Sequence, residues 1–330
     1  MHLIHRHRPA VFDRIYRLSL VAVISLVTVA FAYAQKPSPT PPDDPDGPVR
    51  IKTDLVTLTL TVTDQFGRYV SGLNKNAFTI LDNNKEQDIS FFSDSDAPVS
   101  VGILFDVSGS MSKDKIVKAR NALERFIATS HPNDEYFLIA FNNRAQLLMD
   151  RTRDGDAVVR QLTLVQPKEN TALYDAVYLG IERVTRGSHQ KRALLIISDG
   201  QDNASRYNFG EVRRLMKESD VVTYSVGIMD KSDNNSSLGM QGQAFLDEIS
   251  SVTGGKSFYP ETNVEMDEIF ERIALELRHQ YSIGYIPRDF QLDGKWRKVK
   301  TKIKPPRGLP RLTVRAREGY YATPTSTVKP

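Results

Sequence analysis

A chain of 330 residues, 40% hydrophobic and 25% charged, has the composition of an ordinary globular protein with one large domain or two modest ones. Most of its formal charge of +4 lies at the N-terminus, where Arg6, Arg8, Arg14 and Arg17 face only Asp13; the nearly neutral remainder has no basic stripe interleaved with aromatics and gives no ground for a nucleic-acid partner. The absence of cysteine excludes a disulfide framework, a zinc–thiolate site, a thiol nucleophile and a lipidation cysteine, so stability rests on a packed core.

In chain order, the basic stretch HRHRPAVFDRIYR precedes the apolar run LSLVAVISLVTVAFAYA, and Ala32 and Ala34 have the small-residue spacing of a cleavage site. Residues 1–34 therefore read as a signal peptide cut after Ala34, with export to the periplasm, the cell surface or the medium. The alternative is an uncleaved anchor, but a run of about 17 residues is at the short limit for crossing ~30 Å of hydrocarbon. No other segment is apolar enough to span a membrane, so none is expected in the mature chain. Residues 35–49, rich in proline and aspartate, read as an extended tether.

Residues 50–97 form an N-terminal β unit. RIKTDLVTLTLTVT alternates apolar and polar positions with β-branched residues throughout, and DNNKE is a hairpin turn between two further strands. Residues 281–330 have the same character, in QYSIGYIP, WRKVKTKIK and LPRLTVRAREGYY. The two β segments flank the middle of the chain, which suggests one discontinuous β-sandwich. Trp296 and the GYY stretch read as core anchors of the C-terminal β unit, and KWRKVKTKIK as the exposed face of a strand.

Between them, residues 98–280 change rhythm. Continuous apolar strands (VSVGILFDVS, DEYFLIAF, KRALLIIS, DVVTYSVGIM) alternate with amphipathic helices, as in KDKIVKARNALERFIATS, where Ile116, Ala119, Leu123 and Phe126 share a face. This alternation predicts an α/β fold with a doubly wound, mostly parallel sheet. In such a sheet, ligands sit beyond the carboxyl ends of the strands. Asp106, Ser108 and Ser110 lie at that end of the first strand, Asp199 at that end of a later one, and Thr171 opens a helix on the same edge. One helix cap needs one side chain, so three alternating oxygens exceed what capping requires. The set is entirely hard oxygens, only two of them carboxylates, which suits Mg²⁺ or Mn²⁺ better than Ca²⁺ and does not suit zinc.

The DVSGS loop, the Thr171 segment and the SDG turn resemble the metal-ion-dependent adhesion site of von Willebrand factor type A domains. That resemblance implies a Rossmann-like fold over roughly 98–280, a metal site at Asp106, Ser108, Ser110, Thr171 and Asp199, and capture of a Glu or Asp carboxylate on a protein partner. The flanks VTDQFGRYVSGLNKNAFTILDNNKEQDISFF and REGYYA are similar to exported bacterial proteins built around such a domain. A binding or adhesion module without catalytic activity is therefore the expected function.

Two alternatives remain. One is a metal-dependent phosphohydrolase with Asp106 as nucleophile, which would need a second acid where Ser108 stands and a basic phosphate clamp. The other is a structural envelope protein. Asp202 is either a support for the site or a loop acid, Asp175 reads as a helix-surface acid, and the loop 230–243 reads as a solvated connection or a lid beside the ion. The histidines show no ligand spacing.

Overall fold

The chain is described from a computed structural model, covering residues 55–323 apart from 164, 166, 168–169, 230–235, 289–290, 307 and 309–310. The leader, the tether and the centre of the 230–243 loop thus lie outside the described residues. Among those described, no helix is long and apolar enough to cross a membrane.

The middle of the chain is a six-stranded sheet. Strand β5 (Val99–Asp106) lies at its centre and is buried along its whole length. Parallel to it run β6 (Glu135–Phe141), β8 (Lys191–Ser198), β9 (Val222–Gly227) and β10 (Lys256–Phe258), and only β7 (Ala145–Thr152) is antiparallel. The spatial order β10-β9-β8-β5-β6-β7 reverses at β5, because the chain builds outward to β6 and β7 and then returns to β8 on the other side. The short β10 has too few residues to show a period in the sequence.

Among the described residues, six α-helices cover the two faces. One layer holds α1 (Lys113–Thr129), α2 (Gly155–Leu162) and α6 (Asn263–Arg278), whose Phe126, Leu162 and Phe270 pack on Val101, Ile103 and Phe105. The other holds α3 (Leu173–Val184), α4 (Phe209–Glu218) and α5 (Ser237–Val252), whose Val177, Val212 and Leu246 pack on Leu104, Leu194 and Ile196. Both faces of the sheet are dry, so its strands read as unbroken apolar runs. The glycine in β5 has a packing cause: a Cβ on Gly102 would stand 2.2 Å from Phe137 Cζ and 2.6 Å from Leu194 Cδ2.

The flanks contribute two four-stranded sheets. Strands β1 (Val56–Thr63) and β4 (Ile89–Ser93) join β11 (Tyr281–Tyr285) and β13 (Thr313–Arg315) in the order β13-β1-β11-β4. Strands β2 (Phe78–Asp82) and β3 (Lys85–Gln87) join β12 (Trp296–Ile303) and β14 (Gly319–Tyr321) in the order β14-β12-β2-β3. Leu58, Leu60, Ile80, Tyr281, Ile283 and Val299 share one core, so each sheet mixes strands that are about 200 residues apart in sequence. Asn83 and Asn84 turn the β2–β3 hairpin with positive φ (46° and 65°), the backbone of a two-residue primed turn.

Two expectations need correction here. The segment after the hairpin is two strands, because the chain changes sheets at Asp88. Trp296 and Tyr321 are not core anchors: both are half-buried, meet edge-on at 5.0 Å and lie under the cations of Lys217 and Arg214 on α4, while Tyr320 alone enters the core. In β12, Lys298, Lys300 and Lys302 are exposed around a buried Val299.

Candidate functional site

Asp106 ends β5 beside the point where the strand order reverses, and its side chain is fully buried. Its Oδ1 accepts the Ser108 N–H (2.8 Å) and its Oδ2 accepts the Ser198 hydroxyl (2.5 Å), which in turn accepts the Gly200 N–H at 3.0 Å. The loop then folds back so that the Ser108 and Ser110 hydroxyls meet at 3.0 Å. None of these oxygens caps the next helix. That role falls to Ser112, whose side chain accepts the Lys115 N–H, while Lys115 Nζ donates to the Ser110 carbonyl.

Asp199 follows β8 and is 1% exposed. Its Oδ1 accepts the Gln201 N–H at 3.1 Å, and its Oδ2 is buried without a hydrogen-bond partner. The turn beyond it is held by Gly200 at φ +83°, where a Cβ would come within 2.4 Å of the Gly242 carbonyl on α5. Asp106 and Asp199 are close enough to repel each other. Burial, and then that repulsion, push the Asp106 carboxyl up to about 7. No Lys, Arg or His among the described residues forms an ion pair with either of them.

Thr171 stands one residue before Ala172, which occupies the N-cap position of α3, so the threonine does not cap the helix. Its peptide is fastened on both sides. Its N–H donates to Asn203 Oδ1 (2.8 Å), its carbonyl accepts from the N–H groups of Asn203 and Ala204, and the next N–H, of Ala172, donates to the Asn142 carbonyl at 2.6 Å. Thr171 is therefore pinned between the β6–β7 turn and the loop that follows Asp199. Asp106, Ser108, Thr171 and Asp199 are each at most 3% exposed, and only Ser110 is open to solvent, so the set is more deeply buried than a site on the lip of a sheet implies.

Several functional residues lay beyond sequence reasoning. Ser198 holds Asp106, and its signal was only a serine preceding SDG. Asn203 positions Thr171. Asn142 has a buried Oδ1 without a partner and supplies the carbonyl that anchors Ala172. Asp202 caps α3 from the loop, accepting the Tyr174 N–H and the Ser205 hydroxyl on Oδ2. Asp175 is not a surface acid. It is 8% exposed and binds the 206–207 loop through Arg206 N–H, Tyr207 N–H and Arg206 Nε. Of the 230–243 loop, residues from Ser237 onward are the first turns of α5, capped by Ser236.

The described residues hold no group of three or more His, Cys, Asp or Glu able to bind a metal. What they hold instead is the neighbouring buried carboxylates of Asp106 and Asp199, one with an orphaned oxygen, and the Ser108 and Ser110 hydroxyls beside Asp106. Cations relieve such a grouping, and its hard oxygens suit a Mg²⁺-type ion.

A mostly parallel, doubly wound sheet with helices on both faces defines a Rossmann-like α/β domain. Residues 101–201, from β5 to just past β8, match the family model of the von Willebrand factor type A domain. An uncharacterized protein of Synechocystis sp. is 23% identical over 108 residues, 32% of this chain. The alignment spans about a quarter (26%) of that relative's length. Among solved structures, a von Willebrand factor type A protein from Catenulispora acidiphila is similar at TM-score 0.46 and 11% identity, over 81% of this chain and 74% of that one. BatB from Bacteroides thetaiotaomicron aligns at TM-score 0.43 and 19% identity, over 54% of this chain and 98% of its own. The corresponding domain of the type V pili tip protein Mfa5 from Porphyromonas gingivalis aligns at 0.42 and 10%, over 55% and 96%.

Proposed function

We propose that this chain is an exported, metal-dependent protein-binding module in which Asp106, Ser108, Ser110, Thr171 and Asp199 hold a Mg²⁺ or Mn²⁺ ion and so capture a Glu or Asp carboxylate of a protein partner. The observation that carries this reading is the pair of buried carboxylates that have no basic partner among the described residues, one with an unpaired oxygen. Burying such charges uncompensated is costly, and an ion removes the cost. When bound, the ion would supply a coordination position for one outside oxygen. Ser108, Ser110 and Thr171 would contribute neutral oxygens, so two carboxylates would leave part of the positive charge unneutralised and selective for an acid. Ser110, the exposed member, marks the side from which a partner arrives.

The module is read as a binder without a catalytic step. In an aspartyl-phosphate hydrolase an acid would stand two residues after the nucleophile, and here that position is Ser108, bonded to Ser110. Export rests on the leader at residues 1–34.

The test is a thermal-shift series with Mg²⁺ or Mn²⁺ against EDTA, combined with pull-down from cell-envelope extracts. The wild type is expected to be stabilised by metal and to retain partners only without EDTA, with Asp106→Ala losing both. Metal-dependent turnover of generic phosphate or ester substrates by the wild type would move the protein to the hydrolase class. Sequencing the exported product should find Gln35 first.

A further inference from the structure

We propose that the cleft between the β6–β7 turn, α3 and the 203–207 loop is a second half of the partner-binding surface, shaped for an acidic protein segment carrying a second carboxylate. The inference rests on the metal-dependent reading above and adds a specificity element to it. The cleft has a volume of about 580 Å³ and is lined by Arg144 from the turn, Tyr178 and Leu179 from α3, and Arg206 and Tyr207 from the loop. Its position is set by the residues that hold Thr171: the turn supplies the Asn142 carbonyl that anchors Ala172, and the loop supplies the Asn203 and Ala204 N–H groups that grip the Thr171 carbonyl. A partner chain that delivers one carboxylate beside Thr171, advancing ~3.3 Å per residue, would lay its neighbouring residues here.

The chemistry of the walls selects that segment. Tyr178 and Tyr207 stack at 4.0 Å and 6°, presenting with Leu179 an aromatic and apolar surface. The acids of the cleft are already engaged: Asp175 binds the 206–207 backbone and Arg206 Nε, and Glu182 pairs with Arg186 at 2.6 Å. Among the described residues Arg144 forms no ion pair, and Arg206, paired with Asp175 through Nε, has its terminal amino groups left to act on a ligand. Arg206 is held by Asp175 through Nε while its side chain is 85% exposed. Planar guanidinium forks beside an aromatic surface recognise a carboxylate next to an apolar or aromatic side chain.

The experiment measures binding of the full chain, by calorimetry, to capped Gly-Ser peptides. One set carries a single glutamate; the other adds a phenylalanine and a second glutamate two to six residues further on. The second glutamate is expected to tighten wild-type binding at least tenfold at one spacing. Arg144→Glu/Arg206→Glu should lose that gain and recover it when lysine replaces the second glutamate. Arg206→Ala, truncating an exposed side chain, serves should the double variant not fold, and should lose part of the gain. Absence of any gain in the wild type, a gain that survives the arginine substitutions, or equal competition by the sulfated polysaccharide heparin would overturn the proposal. The two readings fail separately. Mg²⁺-dependent binding of the one-glutamate peptide without a second-acid gain would leave the metal site standing and remove the cleft. An arginine-dependent gain that persists in EDTA would keep the cleft and remove the metal.

Discussion

Asp106 shows how a residue can be costly to the fold and useful to the site. Its charge is buried beside Asp199 with only hydroxyl and amide partners, so the metal-free protein keeps a repulsion that a neutral side chain would relieve. Asp106→Asn keeps an oxygen for the Ser108 N–H and an amide for Ser198. In EDTA at pH 8 it is expected to unfold at a higher temperature than the wild type, each ~1 kcal/mol gained raising the midpoint by about 2–4 °C. On the proposed metal-dependent reading, the order should reverse in Mg²⁺. Differential scanning calorimetry in the two buffers checks both halves. Ser108→Ala removes one hydroxyl from a loop whose backbone bonds remain, and should weaken Mg²⁺ binding in a titration while leaving the EDTA midpoint close to wild type. The five oxygen residues could be named from the sequence because their types and spacing are local. Ser198, Asn203 and Asn142 could not, since each acts through a bond to a distant segment that no periodicity records.

At the scale of elements, the dry central sheet decides what each strand tolerates. Gly102→Ala drives a Cβ into Phe137 and Leu194 across β5, β6 and β8, and overpacking of this kind costs about 1–3 kcal/mol. Urea denaturation should show a lower midpoint at an unchanged slope. The loop after β8 is held to α3 by two acids with opposite orientations. Asp202 caps α3 from the loop, and Asp175 holds the loop from α3. Asp175→Ala should release residues 205–207, seen as faster amide exchange there and at the α3 N-terminus, with the β5 core still protected. The order of strands and helices was legible because both periods were strong. The reading of Asp175 as a surface acid failed because helical spacing assigns a face and does not reveal that another loop covers it. Trp296 was misplaced for a related reason: an aromatic residue at a strand end packs on whichever helix passes, and that was α4.

Across the whole molecule, a buried acid is among the links between the β-sandwich and the doubly wound sheet, beside the pairs Arg317–Asp220 and Arg278–Asp96. Glu276 on α6, 2% exposed, accepts from the hydroxyls of Thr61 (2.8 Å), Tyr224 (2.7 Å) and Tyr69 (3.1 Å) and pairs with Arg315. Its partners come from β1, β9, the segment after β1, and β13. Glu276→Ala leaves the Arg315 charge unpaired and takes an acceptor from the Thr61, Tyr224 and Tyr69 hydroxyls, and breaking a buried pair in this way costs about 3–5 kcal/mol. Calorimetry should show the lower midpoint. Ending the chain after Gln280 removes β11–β14, and amide exchange should then find β1–β4 unprotected while β5 stays closed. The amino-acid sequence by itself determined that residues 98–280 fold as alternating strands and helices around a doubly wound sheet, and where hard oxygens lie along the chain, because both follow from local pattern. Only the tertiary structure decided which flanking strands pair, that two carboxylates lie buried side by side, and that a helix acid bridges the two parts, because hydrogen-bond partners and burial depend on segments far apart in the chain.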